Sequence, residues 1–303
     1  MKSVKPVYKA VIPVAGLGTR MLPATKAIPK ELLPIYDRPL IEHVVKEAID
    51  GGIREIILIT RSGKEAIENH FDAHYELEHR LVKKGKNKIL EDIVKIIPDE
   101  VKISSIRQAD ALGLGHAILC AKHLINDEPY AVLLPDVLVL DKLNRGKNFS
   151  FSHLVNAWNK TGVGQVMVER VDFDDIEKYG IIDMDGKIIN KFVSTSMKTL
   201  IEKPEPQNSP SNLAILGRYI LPPQSFDLLE SVNPDVGGEI QLTDALSKLV
   251  IKEGLNAVLT DAHIFDCGNK LGYLNANLLM GMRDPNSRAK INAFMNKLSD
   301  DDF

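Results

Sequence analysis

Residues 10–20 read Ala-Val-Ile-Pro-Val-Ala-Gly-Leu-Gly-Thr-Arg, a short apolar run that passes directly into a glycine-rich turn. A continuous apolar run of this length, bounded by a turn, is typical of a buried strand. Glycines after such a strand let the backbone approach a ligand and direct consecutive N–H groups at an anion. The segment therefore predicts a strand that ends in an anion-binding loop.

Strand and helix patterns alternate through the first half of the chain. Residues 40–49 carry their apolar side chains on one helical face, and residues 55–59 form a short, continuously apolar strand. Further strands are predicted at 101–106 and 130–134, with a helix at 114–124 between them. This alternation predicts an α/β fold, Rossmann-like, with a mixed, mostly parallel sheet and helices on both faces. Ligands of such sheets lie beyond the carboxyl ends of the strands.

The second half of the chain is richer in predicted strands, at 165–171 and 213–220. Asp185-Gly186, between two isoleucine pairs at 181–182 and 188–189, predicts a β-hairpin. No flexible linker separates the two halves, so we interpret the second half as a β-rich extension of the same domain.

Charge and composition exclude several classes of function. The chain has 38 basic and 41 acidic side chains, a formal net charge of −3, which gives no reason to expect a nucleic-acid partner or a membrane surface. No apolar run approaches the ~20 residues of a membrane span, and Met1–Lys9 lacks the apolar core of a signal peptide. Cys120 and Cys267 lie far apart and lack metal-ligand spacing, so a reduced, cytoplasmic location is expected.

Two familiar phosphate-binding motifs do not match the glycine-rich turn. A dinucleotide fingerprint needs a third glycine where this chain has Met21, and a P-loop needs a closing Gly-Lys-Ser/Thr that is absent. Instead, Arg20, Lys26 and Lys30 follow within eleven residues, in a segment held by prolines. Three cations so placed can surround a polyphosphate, although the same pattern also suits an exposed basic loop.

The loop and the basic segment resemble those of the sugar-1-phosphate nucleotidyltransferases. In its extended form, Pro23–Pro34 looks like the corresponding segment of the bacterial UTP–glucose-1-phosphate uridylyltransferases. The resemblance continues, in order, through Arg107-Gln108, Leu112–Ala117, Leu134-Pro135-Asp136, Lys178-Tyr179-Gly180, Glu202-Lys203-Pro204, Ser211–Ala214, Glu239–Ala245 and Phe265–Gly268. It spans nearly the whole chain and is much more specific than any single motif.

The resemblance implies roles for residues on the nucleotide side. Arg20 would bind the departing pyrophosphate and Lys30 would be the catalytic lysine near the α-phosphate. The remaining UTP-binding residues would be Ala15, Gly16 and Gly18 through their backbone, Lys26 as an auxiliary cation, and Gln108 with Gly113 at the uracil.

The resemblance also implies a metal site and a sugar site. Asp136 and Asp266 each follow or end a short apolar strand and would bind Mg²⁺, although either alone also suits a helix cap or turn. Glu202 would accept hydrogen bonds from glucose hydroxyls, Lys203 would hold the sugar phosphate, and Gly180 would let the backbone reach the sugar ring.

The expected reaction joins UTP to glucose 1-phosphate and releases UDP-glucose and pyrophosphate. The chain, 1–303, would be a single nucleotidyltransferase domain with a nucleotide-binding half at about 9–164, a sugar-phosphate-binding half at about 165–268 and a helical tail at about 269–303. A homodimer or homotetramer is expected. The alternatives are the same chemistry with dTTP and a non-catalytic regulatory paralogue. The second is disfavoured because Thr19, Arg20 and Gly180, which such paralogues lose, are present.

Pro13 departs from these expectations. It lies inside the predicted first strand, where a central position needs a backbone N–H for the sheet.

Overall fold

Fourteen strands and eleven α-helices form the described part of the computed structural model, residues 4–142 and 149–298. The strands are β1 Lys9–Pro13, β2 Pro34–Ile35, β3 Arg38–Pro39, β4 Glu55–Thr60, β5 Lys102–Arg107, β6 Tyr130–Leu133, β7 Val137–Leu140, β8 Gly164–Arg170, β9 Gly180–Asp183, β10 Ser194–Ser196, β11 Thr199–Glu202, β12 Leu213–Leu221, β13 Leu255–Leu259 and β14 His263–Asp266. The helices are α1 Leu40–Asp50, α2 Glu65–Phe71, α3 Tyr75–Lys83, α4 Asn87–Val94, α5 Gly113–Cys120, α6 Lys122–Ile125, α7 Phe149–Thr161, α8 Ser225–Glu230, α9 Leu242–Lys252, α10 Lys270–Arg283 and α11 Pro285–Met295.

The main sheet has ten strands, and eight of them follow the order β10-β13-β8-β12-β6-β1-β4-β5. Strand β1 is central and pairs in parallel with both β4 and β6, and β5 extends this parallel group. Strand β12 runs antiparallel to β6 and β8, whereas β13 is again parallel to β8. The predicted mixed, mostly parallel sheet is therefore confirmed.

Helices cover both faces of this sheet because its central strands are apolar on both sides. Val11 of β1 belongs to the core cluster that includes Ile118 of α5, whereas Ile12 belongs to the opposite cluster with Val44 of α1. All four side chains are fully buried. A continuous apolar strand with no polar face is stable only between two covering layers. No helix within the described ranges has both the length and the apolar character that a membrane span needs.

The position of Pro13 has a simple structural reason. Val14 donates its N–H to the Ile59 carbonyl of β4, at 2.8 Å. Neighbouring residues of a strand point their backbone groups to opposite sides, so position 13 faces β6. Pairing with β6 ends at Val11, opposite Val132. The missing N–H of Pro13 therefore removes no hydrogen bond from the sheet.

The predicted hairpin at Asp185-Gly186 was wrong in its second arm. The turn itself forms, with positive φ angles of 52° and 74° at these two residues. However, residues 188–189 are not in a strand, and β9 pairs instead with β11, with Ile182 opposite Leu200. The turn was therefore predicted correctly, but the strand that pairs with β9 lies further along the chain.

One buried ion pair connects the layers near the carboxyl ends of the central strands. Arg218 of β12 contacts both carboxylate oxygens of Glu47 of α1, at 2.9 and 2.8 Å, and the two side chains are 0% and 3% exposed. The same guanidinium donates to the carbonyls of Leu134 and Val137, at 3.0 and 2.6 Å. Since these carbonyls flank residues 135 and 136, Arg218 fixes the backbone that follows β6.

We expect Arg218→Met to lower the free energy of unfolding by about 3–5 kcal/mol, because it leaves the Glu47 carboxylate buried and unpaired. The double variant Arg218→Met/Glu47→Leu should recover part of this loss, since both charges are then removed. Urea unfolding measures both values. Lys198→Met, which breaks an ion pair exposed at 58% and 57%, is the matched control and should change stability by less than about 1 kcal/mol. Equal effects of Arg218→Met and Lys198→Met would contradict the structural role of the buried pair.

Candidate active site

The glycine-rich loop leaves β1 with its backbone donors free. Within the described part of the chain, the N–H groups of Ala15, Gly16, Leu17 and Gly18 donate to no protein acceptor. Gly18 has a φ of 69°, and its carbonyl accepts a hydrogen bond from the Thr25 hydroxyl at 2.7 Å, which holds the loop in shape. Consecutive unpaired N–H groups at the carboxyl end of a strand form a site for an anion.

Lys30 lies against this loop and contacts Asp136. Its Nζ is 2.6 Å from the Asp136 carboxylate, and the side chains are only 14% and 16% exposed. Burial by itself would lower the pKa of Lys30, but the Asp136 carboxylate raises that pKa above its ordinary value. Burial would likewise raise the pKa of Asp136, but Lys30 and then Arg20 hold it below its usual range. Both groups therefore carry their charges at neutral pH.

Asp266 reaches the same place from a separate small sheet. Strand β14 pairs antiparallel with β7, which puts Asp266 opposite Val137 and so beside Asp136. Arg20 bridges the two aspartates, with one guanidinium nitrogen 2.8 Å from the Asp266 carboxylate and the other 3.6 Å from that of Asp136. The two carboxylates and the two cations Arg20 and Lys30 thus form one cluster of alternating charge.

Gly268 lies against this cluster at a position with no room for a side chain. A Cβ atom at position 268 would lie 2.5 Å from Arg20, and 2.9 Å from a carboxylate oxygen of each of Asp136 and Asp266. The backbone N–H of Gly268 also donates to Asp266 at 2.9 Å. Only glycine therefore lets the chain pass this close to all three side chains.

The donor set at Asp136 and Asp266 suits a hard divalent cation. Carboxylate oxygens are the ligands that Mg²⁺ prefers, and Mg²⁺ commonly takes only one or two carboxylates together with water and phosphate oxygens. Among residues 4–142 and 149–298, no group of three or more His, Cys, Asp or Glu side chains is arranged around a common metal position. The two aspartates therefore fit a metal that a phosphorylated ligand helps to hold, not an all-protein metal cage.

The side chain of Gln108, at the end of β5, is buried in a fixed orientation. Its amide nitrogen donates to the Gly113 carbonyl at 3.2 Å and contacts His116 Nδ1 at 3.0 Å. Because a carbonyl can only accept, the amide nitrogen must face Gly113, so the amide oxygen is free to accept a hydrogen bond. The contact with His116, which lies eight residues further along the chain, was not predicted from the sequence.

Glu202 and Gly180 face each other across the β9–β11 pair. The Glu202 carboxylate accepts a hydrogen bond from Thr243 and lies 3.5 Å from Lys203 Nζ. Lys203 has a φ of 43° and donates its N–H to the Tyr179 carbonyl, which turns its side chain out of the strand. The Lys203 side chain stays 59% exposed, so a ligand in the neighbouring cavity can reach it.

Two adjoining cavities contain nearly all of the predicted site residues. One, of about 440 Å³, is lined by Ala15, Gly16, Gly18, Lys30, Gln108, Gly113 and Asp136. The other, of about 540 Å³, is lined by Arg20, Asp136, Gly180, Glu202, Lys203 and Asp266. The cavities share Asp136, Leu114 and Leu134, so Asp136 stands at their junction. Lys26 is exposed and lines neither cavity, and its role stays a prediction.

The second cavity also has wall residues that were not predicted to be part of the site. They include Glu169 of β8, Tyr219 of β12 and Thr243 of α9. Thr243 lies within a motif of the family resemblance, whereas Glu169 directly follows the apolar run Val166–Val168 near the end of β8. That end of the apolar run was the available signal for Glu169.

This combination of fold and site defines an α/β protein with a glycine-rich loop and a cluster of charged side chains that line two adjoining cavities. Residues 9–281 match the family model described as nucleotidyl transferase, and the chain belongs to this family. It is a nucleotidyltransferase, and the family resemblance found in the sequence is confirmed.

Relatives and solved structures agree with this assignment. The UTP–glucose-1-phosphate uridylyltransferase of Haemophilus influenzae is 45% identical over 291 residues, covering 96% of this chain and 99% of the relative. The protein of the same name from Escherichia coli K12 is 48% identical over 277 residues, 91% of each chain. The structure of a UTP-bound UGPase from Acinetobacter baumannii is 44% identical and superposes with a TM-score of 0.89, covering 97% of this chain and 100% of that one.

We expect Gly268→Ala to lower the turnover of nucleotidyl transfer by about 100-fold, because the new methyl group must displace Arg20 and the two aspartates, and shifts of about 1 Å have effects of this size. Steady-state kinetics with a melting curve would show the loss in a folded protein. Gly237→Ala is the control, since its methyl group would meet only the Asp235 side chain, at 3.2 Å. Unchanged turnover in Gly268→Ala would show that this close approach is not needed.

Proposed function

We propose that this chain transfers the uridylyl group of UTP to glucose 1-phosphate, giving UDP-glucose and pyrophosphate. The observation that carries the proposal is the pair of cavities that meet at Asp136, one with the anion-binding loop and the other with Glu202 and Lys203. The names of the relatives, and the UTP bound to one neighbouring structure, support the same reaction.

The reaction that these residues would support is an in-line displacement. A phosphate oxygen of glucose 1-phosphate attacks the α-phosphorus of UTP and forms a new P–O bond. The bond between the α-phosphorus and the oxygen that bridges to the β-phosphate breaks, and pyrophosphate leaves with that electron pair. The attacking oxygen is already anionic, so no general base is required, and the chemical problem is to stabilise negative charge.

The cations of the site meet that need. The free N–H groups of Ala15, Gly16 and Gly18 would hold the triphosphate, Lys30 would stabilise the α-phosphate, and Arg20 would stabilise the departing pyrophosphate. In the free protein Arg20 and Lys30 pair with Asp266 and Asp136, so their charges are held in place before substrate arrives. Preorganised charge of this kind needs little rearrangement during the reaction.

We propose Mg²⁺ as the cofactor, held by Asp136 and Asp266. When bound, it would neutralise phosphate charge and help to align the two phosphorylated substrates. Support comes from the oxygen donors of the two carboxylates, from the position of Asp136 at the junction of the cavities, and from Asp266 beside it in the cavity that also contains Glu202 and Lys203. In the same proposal Lys203 orients the attacking phosphate, which is a contribution of proximity.

The proposed base and sugar sites lie on either side of Asp136. Gln108 would accept a hydrogen bond from the N3–H of uracil, and Gly113 would approach the same base through its backbone. Glu202 and Gly180 would contact the glucose. This arrangement supports a nucleotide-binding half at about 9–164 and a sugar-phosphate-binding half at about 165–268, within one domain; the last residues of the helical tail lie outside the described ranges.

A homodimer or homotetramer is also proposed. The exposed leucines 271, 274 and 278 share one face of α10 and support an interface, which light scattering of the purified protein would test. The cytoplasmic location expected from free Cys120 and Cys267 stays a prediction.

We expect the purified protein to release pyrophosphate from UTP in the presence of glucose 1-phosphate and magnesium, and a chelator to abolish this release. Parallel reactions with dTTP, GTP, CTP and ATP define the base preference. Preference for dTTP would keep the mechanism but overturn the assignment of the base. A folded protein that is inactive with every nucleotide would favour the regulatory paralogue.

We expect Arg20→Ala and Lys30→Ala each to lower turnover by roughly two to four orders of magnitude, the scale of losing a charge contact in the transition state. Matched controls are Arg80→Ala and Lys83→Ala. They remove exposed cations of α3 that line neither cavity. Pyrophosphate release at saturating substrate is the measurement. Near-normal turnover in both site variants would remove these residues from the mechanism.

A further inference from the structure

Glu169 is a half-buried acidic residue on β8. It lines the cavity of about 540 Å³ that also contains Glu202 and Lys203, which is the larger of the two cavities described above and is called the larger cavity below. Its neighbours Met167 and Val168 are fully buried core residues, and Ala214 of β12 lies opposite it in the sheet. Within the described ranges its carboxyl group makes no hydrogen bond and no ion pair. Its oxygens keep some contact with water, since Glu31 Oε1 is the only fully buried side-chain oxygen or nitrogen without a partner among the described residues. Even partial burial without a partner is unfavourable for a charged carboxylate.

The charged groups around the same cavity do not compensate Glu169. Lys178 pairs with Asp175, Arg20 with Asp266, and Lys203 with Glu202. Burial raises the pKa of Glu169 to about 7, and no opposing charge lowers it. The phenol of Tyr179 is also nearby, and its pKa is raised by burial first and then by Asp266 and Glu169. The carboxyl group of Glu169 is therefore held at a cost to the free protein.

Glu202, the other acidic residue on this wall, is already engaged. One of its carboxylate oxygens accepts the hydrogen bond of Thr243, and the other faces Lys203. A hexose has several hydroxyl groups, and each needs an acceptor when it leaves water. Glu202 alone offers few free acceptor positions, whereas both oxygens of Glu169 are available.

We propose that Glu169 is a further binding residue for the sugar, accepting hydrogen bonds from hydroxyl groups of the hexose ring, and that it helps to determine which sugar phosphate is accepted. The inference rests on the proposed function, because it assigns the larger cavity to a hexose phosphate. It explains why an unpaired acidic group is tolerated next to the buried core residues of β8: the group gains its partners when the sugar binds. Sites that bind ligands often retain groups that destabilise the free protein.

Binding of UDP-glucose and of UDP to the purified protein, measured by calorimetry, separates the hexose from the nucleotide. For Glu169→Gln we expect the affinity for UDP-glucose to fall about 10-fold or more, the usual scale of losing hydrogen bonds to a charged group. The affinity for UDP, which has no hexose, should change less than about twofold. Glu177→Gln is the matched control, because Glu177 is exposed and lies outside both cavities.

A second measurement excludes a purely structural role. At pH 8, above the pKa of about 7, the free Glu169→Gln protein should melt at a higher temperature than the unmodified chain, because an unpaired carboxylate has been removed. A structural residue would give the opposite shift. In steady-state kinetics the same variant should raise KM for glucose 1-phosphate and leave KM for UTP unchanged.

The outcomes separate the two proposals. If the unmodified protein binds neither UDP nor UDP-glucose, the proposed function fails, and the larger cavity is no longer a sugar site. If the unmodified protein binds both and Glu169→Gln binds UDP-glucose equally well, the proposed function stands and the role of Glu169 is wrong. Equal losses for UDP and UDP-glucose would also overturn it, because the effect would then not concern the sugar.

Discussion

The ion pair between Arg218 and Glu47 is the constraint on which the arrangement of the site depends. It is excluded from water and connects helix α1 to the antiparallel strand β12. Because Arg218 also holds the carbonyls of Leu134 and Val137, the same guanidinium fixes the turn that carries Asp136. A buried charge that is satisfied on every side allows few alternative positions for the groups around it. The buried ion pair therefore restricts the position of the Asp136 carboxylate, which lies at the junction of the cavities.

The charges of the site balance one another before any substrate binds. Two carboxylates, Asp136 and Asp266, are matched by Lys30 and Arg20, and each cation lies within 3.6 Å of at least one carboxylate oxygen. A triphosphate brings additional negative charge, which the proposed Mg²⁺ would offset at the same two carboxylates. Glu169 differs from this cluster, since no opposing charge compensates it, and in our proposal a neutral, hydroxyl-rich ligand would supply its partners. Under the proposed function, the two cavities would therefore present different chemistry to the two halves of one product.

Local sequence patterns correctly predicted those elements whose formation depends mainly on residues close together in the chain. The apolar run before the glycine-rich loop, the amphipathic α1 and the strand β4 appear where expected, within a residue or two. Asp185-Gly186 also formed its turn, because positive φ angles are a property of these residues themselves. The partner of β9 was wrong, since pairing with β11 depends on residues beyond the turn. Pro13 looked like a defect in the sequence and is harmless only because β6 ends its pairing at Val11.

The sequence by itself determined the parallel sheet and the position of the glycine-rich loop and, through the family resemblance, predicted a set of site residues. What the tertiary structure decided is which groups face one another. Arg20 and Asp266 are 246 positions apart, and Lys30 and Asp136 are 106 apart. Gln108 is oriented by the Gly113 carbonyl, and within the described residues Glu169 has no hydrogen-bond or ion-pair partner. Periodicity and propensity report only on neighbours along the chain. Contacts between distant segments arise from packing, and the orientation and charge of each site residue follow from those contacts.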